Sequence, residues 1–192
     1  METSSGNISP EIDSLLSDWS GGDINARDKL VEMLYPHIHR IAHLHVKSQS
    51  ATTLQTTEIV NEAYIRLSKQ ESVQWKNRNH FLAIASVVIR RVMFDHYRKK
   101  SGLKRGGHLN HITVDRIQDF IPEPAQESMG WIELNDLLDA LAKIDKEAAF
   151  VVECKIIGGL TLAEISEVIS KSAATTAKIW QFARSWLLLQ KL

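Results

Sequence analysis

Apolar residues recur at three- and four-residue spacing along most of this 192-residue chain, and that period makes helices its building blocks. Ile12, Leu15, Leu16 and Trp19 form one stripe and predict a helix over 10–19. Gly21-Gly22-Asp23 breaks it, and a second helix follows through Ala26, Leu30, Leu34, Ile38 and Ala42. A third is expected over 57–68, with Ile59, Val60, Ala63, Tyr64 and Leu67 inward. The polar loop 69–79 holds one aromatic, Trp75. The fourth helix, over 80–100, sets Phe81, Ile84, Ala85, Val88, Val92 and Met93 against Arg90, Arg91, Asp95, Arg98 and Lys99.

The periodicity then lapses. The stretch 101–129 contains Gly102, Gly106, Gly107, Pro122 and Pro124 and reads as a linker. The fold class expected is therefore all-α, with two small helical domains at 10–105 and 130–192 joined by a flexible linker, 106–129. One cysteine, Cys154, excludes an intrachain disulfide and a cysteine-based zinc site, which fits a reducing cytoplasm. No apolar run reaches the roughly 18 residues needed to span a bilayer, and residues 1–10 lack a signal-peptide pattern, so no membrane association is expected. Control is expected to come in trans, because the chain ends soon after its last helix.

The 23 basic and 23 acidic side chains cancel overall, but they are not mixed evenly. Between Lys76 and Arg105 there are nine Lys or Arg and one acid, Asp95; between Asp115 and Glu147 there are nine acids and three bases. A basic segment beside an acidic one suggests a footprint for a polyanion and a connector that avoids it.

Near the C-terminus, Thr161 precedes an apolar stretch and Glu164 follows three residues later, the signature of a capping box. Ser170-Lys171-Ser172 makes a turn, and a longer helix is expected from Ala173 to Leu189. Two helices about such a turn form either a helix-turn-helix, whose second helix enters the major groove, or an ordinary helical hairpin.

An ordered set of motifs along the chain carries a resemblance to a known family. It comprises Leu54-Gln55-Thr56-Thr57-Glu58-Ile59-Val60-Asn61-Glu62-Ala63-Tyr64-Ile65-Arg66-Leu67, Trp75-Lys76-Asn77-Arg78-Asn79-His80-Phe81, and Arg90-Arg91 with Asp95-His96. Lys104-Arg105-Gly106-Gly107, Gly158-Gly159-Leu160-Thr161, Glu164-Ile165 and Ala183-Arg184-Ser185-Trp186-Leu187 complete it. Over roughly residues 10–190 the chain resembles a bacterial RNA polymerase sigma factor of the sigma-70 superfamily, extracytoplasmic-function (ECF) group. More narrowly, it resembles the subgroup often found beside Ser/Thr protein kinases.

The resemblance implies a non-enzymatic protein without cofactor or metal, whose partners are core RNA polymerase and promoter DNA, with a Ser/Thr kinase or an anti-sigma factor as a candidate controller. Glu58, Asn61, Glu62 and Arg66 would face the polymerase clamp, where a plain amphipathic helix would present a solvated face. Trp75, Asn77, Asn79 and His80 have the stacking and amide chemistry to hold bases of a melted minus-ten element. Trp75 is equally suited to anchoring its loop in a core. Arg90, Arg91, Arg98, Lys99 and Lys100 would contact phosphates. Ser172, Ala174, Thr175, Lys178, Gln181 and Arg184 would lie on or near the side of the C-terminal helix that faces the minus-thirty-five element.

Two departures from the family pattern matter. The recognition helix has Ala177-Lys178 where a basic pair is usual, Ile179 where a polar residue is usual, and Gln181 where a base is usual; the turn has Ser170-Lys171 in place of glycine and an aliphatic. Loss of about two cationic partners predicts weak binding or an unusual element. The polymerase-docking segment carries threonines where most of the wider group has acids. This makes Thr53, Thr56 and Thr57 candidate phosphorylation sites, against the plainer reading of Thr57 as a helix N-cap.

A metal site at His37, His39, His43 and His45 lacks a completing carboxylate, and a solvated face suits them better. Two rival functions differ in kind: a dimeric helix-turn-helix regulator, and a diverged factor that binds polymerase without reading DNA.

Overall fold

The computed structural model describes residues 8–46, 53–69, 73–103 and 131–190. Among them every regular element is helical: α1 (Ile8–Ser20), α2 (Ile24–Val46), α3 (Thr53–Ser68), α4 (Arg78–Leu103), α5 (Trp131–Ile144), α6 (Lys146–Val152), α7 (Leu162–Val168) and α8 (Ala173–Leu189). A wider π turn, Glu153–Ile157, continues α6.

The first break comes from backbone chemistry. Gly22 adopts φ +96°, a conformation that L side chains rarely take, and the amides of Asn25 and Ala26 donate to Asp23 Oδ1 at 2.8 and 3.3 Å to start α2. Asn77 does the same for α4: its Oδ1 accepts from the His80 amide at 2.9 Å and its carbonyl from the Phe81 amide at 3.0 Å. In the C-terminal half, Thr161 Oγ1 accepts from the Glu164 amide (3.2 Å) while Glu164 Oε2 accepts from the Thr161 amide (2.7 Å), completing the predicted capping box. Ser172 Oγ caps α8 by accepting from the Thr175 amide at 3.1 Å.

Three helix starts differ from the expected ones, the first of them by two residues, at Ile8 in place of 10. The third helix begins at Thr53, one turn before 57, so Thr57 lies inside α3 and is not its N-cap. The fourth begins at Arg78.

Helix α4 is the centre of the molecule. Phe81, Ala85, Val88, Val92 and Met93 are buried as the amphipathic pattern requires, but so are Leu82, Ala83, Ser86, Ile89 and Arg90. The second set is covered because α4 packs on α1 and α3 on one side and on α5, the π turn and α7 on the other. As a result, Ile12, Leu16, Phe81 and Met93 belong to one connected core with Leu138, Val151, Ile165, Trp180 and Leu187. The linker 106–129, with the basic cluster Lys104-Arg105 before it, lies outside the described residues.

Candidate nucleic-acid and polymerase interfaces

The residues expected to meet polymerase do come together. Glu58 and Asn61 are exposed on α3, and Glu62 and Arg66 are half-buried beside them. Arg66 ties this face to α4, with Nε 2.9 Å from Glu62 Oε1 and Nη2 2.8 Å from Asp95 Oδ2. With Thr57, Ile65, His96 and Lys99 these residues line an open groove of about 490 Å³ between α3 and α4. Ile65 is the apolar side chain exposed at its edge. Of the three threonines, Thr57 is half-buried at this groove, Thr56 is fully buried, and the side chain of Thr53 lies outside the described residues. A kinase therefore has no access to Thr56 in the folded chain.

The loop before α4 folds inward. Trp75 is 6 % exposed, with its ring centroid 4.9 Å from that of Trp19 and 5.2 Å from that of Phe81. This corrects the expectation of a free stacking platform: Trp75 takes the alternative role and anchors the loop, because its large ring gains more from core burial than from solvent. His80 lies nearby, its ring tilted 59° to that of Trp75, and its Nδ1 accepts from the Lys76 amide at 3.3 Å. Burial, and then the charge of Lys76, hold its imidazole below the ordinary histidine range. Asn77 spends its side-chain oxygen on capping α4.

Further along α4 the basic residues divide. Arg91, Arg98 and Lys99 are exposed; Lys100 is helical, with its side chain outside the described residues. Arg90 is 7 % exposed, which corrects its assignment to the solvent face. Its Nη1 donates to Asn135 Oδ1 (2.8 Å) and to Asp139 Oδ1 (3.0 Å), both on α5. Its Nε lies 2.7 Å from Glu153 Oε1 without the alignment of a hydrogen bond, so that contact is an ion pair held by charge. Burial pushes the Glu153 carboxyl above the ordinary range, while Arg90 and then Arg91 pull it back. Asn79, expected at DNA, instead donates from Nδ2 to Glu167 Oε2 on α7 at 2.8 Å. Asn135, Glu153 and Glu167 carry no motif of their own. The available signal was the all-round apolar run from Phe81 to Ile89, which marks a helix buried on more than one face.

The helix-turn-helix geometry is present in α7, the turn and α8. Ser170 sits at φ +55°, where its Cβ costs on the order of 1–2 kcal/mol relative to glycine. Lys171 Nζ is drawn to Glu147 Oε2, 2.6 Å away on α6, which commits the turn's cation to an internal pair. Ser172, Ala174, Thr175, Lys178 and Gln181 are exposed along one side of α8, with Phe182 next to them at 45 %, while Arg184 is half-buried. Trp180, Ala183 and Leu187 face the core.

Among the described residues no His, Cys, Asp and Glu cluster fits a metal ion, and no helix is long and apolar enough to cross a membrane. His39 stacks on Tyr35 at 5.9 Å; the side chains of His37, His43 and His45 lie outside the described residues. No curated protein matches the chain. The family model described as ECF sigma factor matches residues 9–191, nearly the whole length, and the chain thus belongs to the ECF sigma factors, which direct promoter-specific transcription initiation with core RNA polymerase.

Proposed function

We propose that residues 10–105 dock on polymerase and hold the minus-ten element, that 106–129 serve as the connector, and that 130–192 contact the minus-thirty-five element. The observation that carries this reading is the pairing of an open, polar α3–α4 groove with a basic side on α4. Glu58, Asn61 and Glu62 line the groove, and Arg91, Arg98 and Lys99 are exposed on α4. The groove is an acid-and-amide surface for a protein partner. Phosphates are met by the guanidinium and ammonium groups, which position a strand without reading it.

The C-terminal module is the weaker DNA reader of the two. Lys178 is the exposed cation on a face otherwise built from Ala174, Thr175 and Gln181, and Lys171 is paired with Glu147. Weak binding of its element, or preference for an unusual one, follows from so few phosphate partners. Among the described side chains of this segment, Thr57 is the candidate for regulation by a Ser/Thr kinase, since it lines the groove. An anti-sigma factor covering the same groove is the other route of control.

Transcription reconstituted with core polymerase and a library of promoter fragments tests the function. Initiation dependent on this chain is expected. Arg91→Ala with Lys99→Ala should reduce it at least tenfold at low salt, and the loss should shrink as salt is raised, because fewer phosphate contacts flatten the salt dependence. Dimers on paired half-sites without core-dependent initiation would indicate the helix-turn-helix regulator instead. Polymerase binding without initiation from any fragment would indicate the diverged factor.

A further inference from the structure

Lys178 is ringed on the surface of α8 by the residues three and four positions to either side of it, Ala174, Thr175, Gln181 and Phe182, and all five are exposed. The patch they make is one ammonium and one amide on an otherwise apolar surface. The hydroxyls beside it are turned inward. Ser172 Oγ accepts from the Thr175 amide at 3.1 Å and shares a hydrogen bond of 2.8 Å with Thr175 Oγ1, while Thr176 Oγ1 donates to the Ser172 carbonyl at 3.1 Å. What Thr175 has left for a ligand is its methyl group. Ala173 and Ala174 add their methyls to the same exposed first turn. Phe182, 45 % exposed, closes the patch one turn beyond Lys178.

Such a surface is poorly matched to guanine, whose O6 and N7 call for the paired donors of a guanidinium or an ammonium. Lys171, the cation of the preceding turn, is already paired with Glu147. The surface is matched to thymine. In the major groove each thymine presents a 5-methyl group, which alanine, the threonine methyl and phenylalanine meet by apolar contact, and the adenine opposite presents N6 and N7 to a glutamine amide. From Ala174 to Phe182 the patch runs about 12 Å at about 1.5 Å per residue, the length of roughly three or four base pairs spaced about 3.4 Å apart. It occupies the N-terminal half of the second helix of the helix-turn-helix, the part that enters the groove in such motifs.

We propose that α8 reads thymine 5-methyl groups, so that the minus-thirty-five element of this factor is a short run of A·T pairs. Ala174, Thr175 and Phe182 recognise it through their apolar surfaces, and Gln181 recognises it through adenine. The proposal rests on the reading of α8 as the helix that meets this element, and names the class of element that such a helix selects. Apolar contact here takes the place of missing cations. A methyl packed against a methyl gains free energy by leaving water and releases no counterion, so this share of the affinity is indifferent to salt.

The test uses the full chain in complex with core polymerase and the most active fragment from the promoter library. Thymines in its minus-thirty-five window are replaced by deoxyuridine, which pairs alike and lacks only the 5-methyl group, and binding of the labelled duplex is measured. The thymine fragment should be held at least fivefold more tightly than the deoxyuridine fragment, by the same ratio at low and high salt. Deoxyuridine in the spacer between the two elements should change nothing. Thr175→Ser, which keeps the hydroxyl bonded to Ser172, and Phe182→Ala should each cut the ratio to half or less, a readout that a general loss of folding does not move. Equal affinity for the two fragments, an active window made of G·C pairs alone, or an equal loss on both fragments in the variants would overturn the methyl reading. Each of these leaves α8 at the element as long as randomising the window lowers initiation. If randomising it changes nothing, or if no fragment is active at all, the reading of α8 falls and the proposal with it.

Discussion

His80 shows how a residue chosen for one chemistry can be held by another. It was expected at unpaired bases, yet its ring lies against Trp75 and its Nδ1 accepts the Lys76 amide, a role open only to the neutral imidazole. Burial first, then the Lys76 charge, depress its pKa below the ordinary 6.5. The unfolded chain therefore binds this proton more readily. The stabilising contribution is complete above pH 6.5 and is lost as the pH falls from there through the depressed folded value. Urea midpoints measured from pH 8 to pH 5 should drop below 6.5, and His80→Gln, which retains an acceptor but does not titrate there, should flatten the drop. An unchanged profile in the variant would remove His80 from this role. Much of the residue chemistry was legible in the sequence: the Thr161–Glu164 box, the Ser172 cap and the exposure of Arg91, Lys178 and Gln181 all follow from local pattern. Trp75 and Arg90 were not, because a side chain's use depends on what covers it.

At the scale of elements, α3 departs from expectation and α8 keeps to it. Helix α3 is a turn longer than its motif required, and the extra turn moves Thr57 from a cap to the wall of the α3–α4 groove near Lys99 and His96. A phosphate there would add about −1.5 to −2 charge to the proposed docking face. Thr57→Asp is expected to raise affinity for core polymerase severalfold over Thr57→Ala, measured by competition for labelled polymerase. Equal binding by the two would leave Thr57 a structural residue. Helix α8 has the right shape and cap but a sparsely charged exposed side, and its turn holds a strained Ser170 where glycine would be relaxed. Shape and charge are separable in a helix-turn-helix: apolar spacing sets the first and exposed side chains the second.

For the whole molecule, the buried side of α4 is the decisive feature. The ion pair of Arg90 with Glu153 costs desolvation, and removing one partner of such a pair typically costs about 3–5 kcal/mol, since the other is left buried and uncompensated. Together with the core running from Ile12 to Leu187, this makes the two halves one cooperative unit. Thermal unfolding should show a single transition, with the same midpoint by far-ultraviolet circular dichroism and by tryptophan fluorescence from Trp19, Trp75, Trp131, Trp180 and Trp186. Two resolved transitions would mean that the halves unfold separately.

The sequence by itself determined the helices, their caps, the break at Gly21-Gly22, the helix-turn-helix and the family motifs, because each depends on residues within a turn or two of one another. It also held the apolar run from Phe81 to Ile89 that marks α4 as buried on several sides. Only the tertiary structure decided which acids meet that helix. Asn135, Asp139, Glu153 and Glu167 lie 45 to 88 residues from their partners in the chain, and no local period encodes such pairings. Their partners are set by how two apolar surfaces close on α4, and that closure turns Arg90 and Asn79 from expected DNA contacts into internal ones.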